Sequence, residues 1–138
     1  MEDSLGMKVV TLICRILLGL GFVFFGCMGL FMHPQLPPRG SAMGDFVNIM
    51  HDVRWSHAVA AFQVIGGLLV LFGGTLPFGL CILCPITVNI WLFHLLFHAL
   101  APSMIGAPIL VTIFEIVLLY AYRGSFAGIW TTKAKPTL

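Results

Sequence analysis

The chain has 138 residues, of which 59% are hydrophobic and only 9% are charged. Soluble domains carry about 25% charged residues, so a soluble fold of this length could not bury so many apolar side chains. The formal net charge of +2 requires no nucleic acid to balance it, and we expect no nucleic-acid partner. The composition therefore indicates an integral membrane protein.

Four long apolar runs account for this composition, at residues 9–32, 55–73, 76–100 and 105–122. Each approaches or exceeds the roughly 20 helical residues that cross a hydrocarbon core about 30 Å thick. The runs are continuous, whereas the strands of a membrane barrel alternate between apolar and polar residues. We therefore predict an all-α fold, an integral membrane four-helix bundle that forms a single membrane domain over residues 1–138.

The distribution of lysine and arginine predicts the orientation of these helices. An even number of spans puts both termini on one side of the membrane, and the turns at 74–75 and 101–106 carry no charge. Positive residues favour the cytoplasmic side. The terminal segments contain Lys8, Arg123, Lys133 and Lys135. Both termini are thus predicted to be cytoplasmic.

The connection at residues 33–54 is then predicted to be extracytoplasmic. Its first part, residues 33–40, contains three prolines and a glycine, which exclude a regular helix there. Residues 41–52 alternate apolar and polar side chains in a pattern typical of a short amphipathic helix at the membrane interface.

Two charged residues, Arg15 and Glu115, lie inside the apolar runs. At about 1.5 Å per residue, both lie roughly 10 Å from the predicted cytoplasmic ends of their helices. This equal depth favours an ion pair that joins the first helix to the last. The alternative is a proton or quinone site that uses Glu115, because carboxyl groups inside membranes mark proton relays.

Two amides, Gln63 and Asn89, lie near the middle of the second and third helices. Amides at this depth usually form hydrogen bonds between helices. Together with Arg15 and Glu115 they predict either a polar core or a small pocket for a quinone headgroup. On the first helix Arg15 shares a face with four other residues, Gly19, Gly26, Gly29 and His33, and small residues on such a face allow close helix packing.

Three histidines are candidate ligands of a metal or haem site. His94 and His98 are four residues apart on one helical face, and His33 lies at the predicted outer end of the first helix. Imidazoles at this spacing can bind zinc, copper or haem iron. The helix contains no HExxH motif and no carboxylate, so the pattern favours interfacial histidines that bond water and headgroups.

Cys81 and Cys84 form a C-x-x-C motif, the spacing of a redox dithiol. Under the predicted orientation they lie near the cytoplasm, which keeps thiols reduced. No cationic residue flanks them to activate a thiol. The pattern favours small packing residues, with a thiol oxidoreductase as the alternative.

Several segments in order resemble DoxX-like membrane proteins: residues 15–19 with 25–26, 66–69, 89–94, and 115–120 followed by Arg123. The similarity covers the layout of essentially the whole chain. It implies a compact four-helix protein of bacterial inner membranes. The family takes its name from a subunit of an archaeal thiosulfate:quinone oxidoreductase, and other members are associated with complexes that handle thiol or oxidative stress.

The resemblance supplies no catalytic motif, so no catalytic residue is assigned. It implies a shared set of polar positions, namely Arg15, Gln63, Asn89, His94 and Glu115. We expect a membrane subunit or accessory factor for quinone-linked, thiol or oxidative-stress redox chemistry, not an enzyme by itself. Its partners would be the bilayer and either other redox proteins or further copies of the chain. The alternative of a different class is a non-enzymatic membrane scaffold or assembly factor.

Overall fold

The computed structural model describes residues 2–32, 35–97 and 102–130, and the side chains of 5–32, 35–97 and 105–127. Every regular element within these ranges is helical, which confirms the all-α prediction at that level. In chain order the α-helices are α1 (Glu2–Phe31), α2 (Ala42–Asp52), α3 (Trp55–Leu71), α4 (Leu76–Leu96) and α5 (Pro102–Ala121). Two 3-10 helices lie at Gly73–Thr75 and Arg123–Trp130.

The ends of the helices differ from the apolar runs for local reasons. α1 begins at Glu2, well before the predicted residue 9, because acidic residues are favourable at the positive end of a helix dipole. α3 ends at Leu71, before the predicted residue 73, where the chain tightens into a 3-10 turn at Gly73. α5 begins at Pro102, a residue type favoured in the first turn of a helix. α4 ends at Leu96; the last predicted residues, 98–100, lie outside the described ranges.

Two helical segments are long and apolar enough to cross a membrane, Leu5–Phe31 and Gly73–Leu96. α2 and α3 together would make a third, although they are bent by 75° at the break between them. The described apolar part of α5, Ile105–Ala121, is shorter. Within the described ranges the structure thus supports two or three crossings. Four crossings and two cytoplasmic termini stay predictions.

Glycines bring α1 and α3 together along the most extensive helix–helix contact of the described chain. A Cβ added at Gly67 would lie 2.8 Å from the Gly19 carbonyl oxygen, and one added at Gly26 would lie 2.8 Å from the Ala60 oxygen. A Cβ at Gly29 would approach that of Ala60. These contacts confirm that the glycine face predicted on the first helix is a packing face, and they show that the two helices are antiparallel.

The remaining helices pack in the same antiparallel manner. α3 packs on α4, α4 packs on α5, and α5 packs on α1. The fully buried side chains of this assembly are Leu18, Val70, Leu76, Leu80, Leu83 and Leu118. The outer faces expose large apolar residues such as Phe24, Phe62 and Ile116, which suits contact with lipid.

The connection before α3 is ordered by its own hydrogen bonds. The Ser41 hydroxyl caps α2 by accepting from the Gly44 amide at 3.0 Å. Buried Asn48 donates to the carbonyl oxygens of Pro37 and Gly44, both at 2.8 Å. Phe46 packs against Phe97 of the chain after α4, with ring centroids 5.2 Å apart. α2 thus lies against the end of α4, with bounds one residue from the predicted 41–52.

Candidate functional site

A cavity of about 340 Å³ lies between α1, α3, α4 and α5. Most of its lining is apolar, including Phe22, Val111 and Phe114. Its polar lining consists of Gln63 from α3 with Thr87 and His94 from α4. Small-molecule sites are usually apolar cavities with a few polar groups on their walls.

Glu115 lies directly behind this cavity. The carboxyl group is 4% exposed, and its Oε1 accepts a hydrogen bond from the Thr87 hydroxyl at 2.9 Å. Thr87 lines the cavity, so this hydrogen bond links the buried carboxyl group to a residue of the cavity wall. This pair also ties α4 to α5.

The predicted ion pair between Arg15 and Glu115 is wrong. Among the described side chains the ion pair that forms is between Arg39 and Asp52, at 2.6 Å. The two residues share a depth, but depth does not determine which way each helix is rotated. α5 turns Glu115 toward α4, whereas the Arg15 guanidinium lies against Gly73, where an added Cβ would be 2.6 Å from Nη1.

The two amides are also separated. Gln63 lines the cavity, whereas Asn89 is exposed on the outer face of α4. Asn89 follows Thr87 by two residues, a rotation of about 200° on a helix, so the two side chains point to opposite sides. The structure therefore places Gln63 on the cavity wall and Glu115 behind Thr87, and it leaves Arg15 and Asn89 outside the cavity.

His94 is the predicted metal-site histidine that the structure describes, and it lines this cavity. Its Nδ1 lies 2.7 Å from the Ile90 carbonyl oxygen. A carbonyl oxygen can only accept, so Nδ1 carries the hydrogen and Nε2 is the acceptor in the neutral ring. His33 and His98 lie outside the described residues. In the part of the chain that the structure describes, no three His, Cys, Asp or Glu side chains converge to hold a metal ion.

A second set of hydrogen bonds between α4 and α5 was not predicted from the sequence. The Trp91 indole N–H donates to the Thr112 hydroxyl at 2.8 Å, and that hydroxyl donates to the Pro108 carbonyl oxygen at 2.8 Å. Thr87, Trp91 and His94 are spaced i, i+4 and i+7, so they share one face of α4. This spacing is the signal that could have identified Thr87 and Trp91 from the sequence.

The C-x-x-C cysteines differ in exposure. Cys81 is exposed, Cys84 is partly buried against the core, and both thiols are free. Cys14 and Cys27 of α1 are also free thiols, and Cys14 is buried. A thiol–disulfide exchange site needs access to an attacking thiol, and only Cys81 of the pair offers full access.

We expect a maleimide to modify Cys81 much faster than Cys84 in the detergent-solubilised protein, because reagent access follows exposure. Mass spectrometry of protease fragments after timed labelling would measure both rates. The Cys81→Ser variant is the control and should remove the fast phase. Equal rates at the two positions would contradict the burial of Cys84 and would favour a working dithiol.

No protein-family model, curated protein or solved structure matches this chain.

Proposed function

We propose that this chain is a membrane subunit that binds a quinone headgroup in the cavity between α1, α3, α4 and α5. In this proposal α1, α3, α4 and α5 form a bundle in a bacterial inner membrane, and both termini of the chain lie in the cytoplasm. A role in quinone-linked or thiol redox chemistry is also what the resemblance to DoxX-like proteins implies. The observation that carries the proposal is an apolar cavity with Gln63, Thr87 and His94 on its wall and Glu115 directly behind.

The chemistry of a quinone suits these groups. Its ring is apolar, and its two oxygens accept hydrogen bonds in the quinone and donate them in the hydroquinone. The Gln63 amide can both donate and accept, so it serves both forms. The neutral His94 ring offers Nε2 as an acceptor for a hydroquinone hydroxyl.

Glu115 adds a group that can exchange a proton with the cavity. It has no ion pair among the described residues, and its Oε1 accepts a hydrogen bond from Thr87, a residue of the cavity wall. Reduction of a quinone takes up two electrons and two protons. In this role the chain binds the quinone and Glu115 exchanges protons with it. A partner redox protein supplies or removes the electrons.

The test is binding of decylubiquinone to the purified full chain. Quenching of tryptophan fluorescence measures the binding. We expect Gln63→Leu to weaken binding of decylubiquinone about tenfold, because it removes one hydrogen bond worth about 1.4 kcal/mol. His94→Leu should weaken binding of the reduced form, decylubiquinol, by the same factor, because Nε2 of the neutral ring can accept only from a hydroquinone hydroxyl. Asn89→Leu is the matched control, since it removes an amide from the outer face of α4, and it should leave binding unchanged. Equal binding by all four proteins would overturn the proposal.

The second candidate, a non-enzymatic scaffold, is favoured by Asn89 itself. This amide is exposed beside Val88 and Leu92, which are also exposed. Amides within membrane helices usually bond to a neighbouring helix. If the chain is a scaffold, Asn89→Leu should release co-purifying partners while decylubiquinone fails to bind to any variant.

A further inference from the structure

A second concave surface lies where the beginning of α1 meets the end of α5. It is a groove of about 600 Å³, and three cations line it: Lys8 and Arg15 from α1 and Arg123 after α5. Thr11 and Tyr122 add hydroxyl groups. The cavity described above shares no lining residue with this groove, so the two are separate sites.

The cations come from both ends of the chain and converge through the fold. Lys8 and Arg15 are seven residues apart, which places them on one face of α1 and about 10 Å apart along its axis. Lys8 is exposed, whereas Arg15 is partly buried. The groove therefore has a cation at its rim and another deeper inside.

Arg15 has unused hydrogen-bonding capacity in this position. Its Nε is buried and has no hydrogen-bond partner in the structure. A buried donor without a partner costs about 1–3 kcal/mol, so a ligand that accepts from this guanidinium would recover that cost. The approach of Nη1 to Gly73 shows that the absence of a side chain at Gly73 gives the guanidinium its room.

Arg123 is held in place by its neighbours. Its Nη1 donates to the Tyr120 carbonyl oxygen at 2.9 Å, and its guanidinium carbon lies 4.4 Å from the centre of the Tyr120 ring. These contacts fix the side chain and leave further N–H groups for a ligand. A pre-positioned arginine loses little conformational freedom when it binds an anion.

None of the residues that line the groove is acidic. The ion pair found among the described side chains, Arg39 with Asp52, belongs to the connection before α3. Among the side chains that the structure describes, no carboxylate compensates the three positive charges of the groove, which therefore repel one another. An anion in the groove would remove that repulsion.

We propose that this groove binds a phosphate-bearing anion. Phosphate oxygens match the fork of donors on an arginine, and basic pockets between membrane helices are the usual sites of anionic headgroups. Met7 and Leu12 give the groove an apolar border, continuous with exposed Val9 and Ile16 on α1. That border suits acyl chains, although a soluble phosphate would meet the same cations. This site does not depend on the quinone proposal.

The experiment measures binding to the full chain in a non-ionic detergent by native mass spectrometry. Three ligands are titrated separately: short-chain phosphatidylglycerol, short-chain phosphatidylcholine and inorganic phosphate. We expect phosphatidylglycerol to bind about tenfold more tightly than phosphatidylcholine, because the choline cation opposes the three positive charges. Inorganic phosphate that binds as tightly as phosphatidylglycerol would support the same site with a soluble ligand.

Charge-matched variants identify the residues. Arg15→Gln and Arg123→Gln should each weaken phosphatidylglycerol binding about tenfold. Arg54→Gln is the control, because it removes one exposed positive charge outside the groove, next to α3. Equal losses in all three variants would show general attraction to net charge and would overturn the proposal.

A second pair of variants tests the geometry without changing any charge. In Gly73→Ala the new Cβ would lie 2.6 Å from Arg15 Nη1 and must displace it, whereas at Gly74 nothing lies within 4 Å. We expect Gly73→Ala to weaken phosphatidylglycerol binding several-fold and Gly74→Ala to leave it unchanged. Binding that is unaffected in Gly73→Ala and in Arg15→Gln alike would remove Arg15 from the site.

Discussion

Replacing Gly67 with alanine is expected to destabilise the protein by up to about 2 kcal/mol, although alanine favours helix more than glycine does. The new Cβ would lie 2.8 Å from the Gly19 carbonyl oxygen and 3.0 Å from the Val23 backbone nitrogen. Both are backbone atoms, which cannot rotate away as a side chain would. α1 must therefore move outward along its most extensive contact.

Two opposing effects determine the sign of this change. Overpacking costs about 1–3 kcal/mol, whereas the gain in helix propensity from glycine to alanine is about 1 kcal/mol. Where the contact is with backbone, the overpacking cost is the larger. Gly21→Ala is the matched control on α1, because nothing lies within 4 Å of a Cβ there and only the propensity gain remains.

The measurement is unfolding of both variants in mixed micelles with increasing dodecyl sulfate. Gly67→Ala should unfold at a lower fraction of dodecyl sulfate than the unmodified protein, and Gly21→Ala at an equal or higher fraction. If Gly67→Ala is as stable as Gly21→Ala, the two helices do not approach as closely as the structure shows.

Removing the Thr87 hydroxyl is the other change with a large expected effect. Thr87→Val keeps the shape of the side chain but leaves the buried Glu115 carboxyl group without its donor. Loss of a hydrogen bond to such a group costs about 2 kcal/mol. The two residues are on α4 and α5, so we expect the contact between these helices to weaken.

A double-mutant cycle isolates this interaction from the general effect of each substitution. In a Glu115→Met background the hydroxyl has no carboxyl group to bind, so Thr87→Val should cost less than about 1 kcal/mol. Equal costs of Thr87→Val in the two backgrounds would mean that the hydrogen bond contributes no stability.

Much of the helical layout could be predicted from the order of residues. The amphipathic pattern after the proline-rich segment predicted a helix at 41–52, and α2 runs from Ala42 to Asp52. The glycines of the first helix predicted a packing face, and Gly19 and Gly26 lie against α3. Both features are local, because a repeat along one helix is enough to define one of its faces.

The relative rotation of the helices could not be predicted in this way. Arg15 and Glu115 share a depth, yet one faces a groove near Gly73 and the other faces Thr87. Asn89 was expected inside and is exposed, while Thr87, two residues earlier, is buried. The helices of this chain carry apolar residues on every face. Hydrophobic periodicity alone therefore does not show which face of a helix packs against its neighbours.

The sequence by itself determined that the chain is helical and mostly apolar, with polar residues at only a few internal positions. The tertiary structure alone decided that Gln63, Thr87 and His94 line one cavity with Glu115 behind Thr87, and that Arg15 joins Lys8 and Arg123 in a separate groove. The physical reason is that close packing at glycines sets the rotation of α1, α3 and α4, and the hydrogen bonds of Thr87 and Trp91 set that of α5 against α4. That rotation is a property of the assembled helices, so no single segment specifies it.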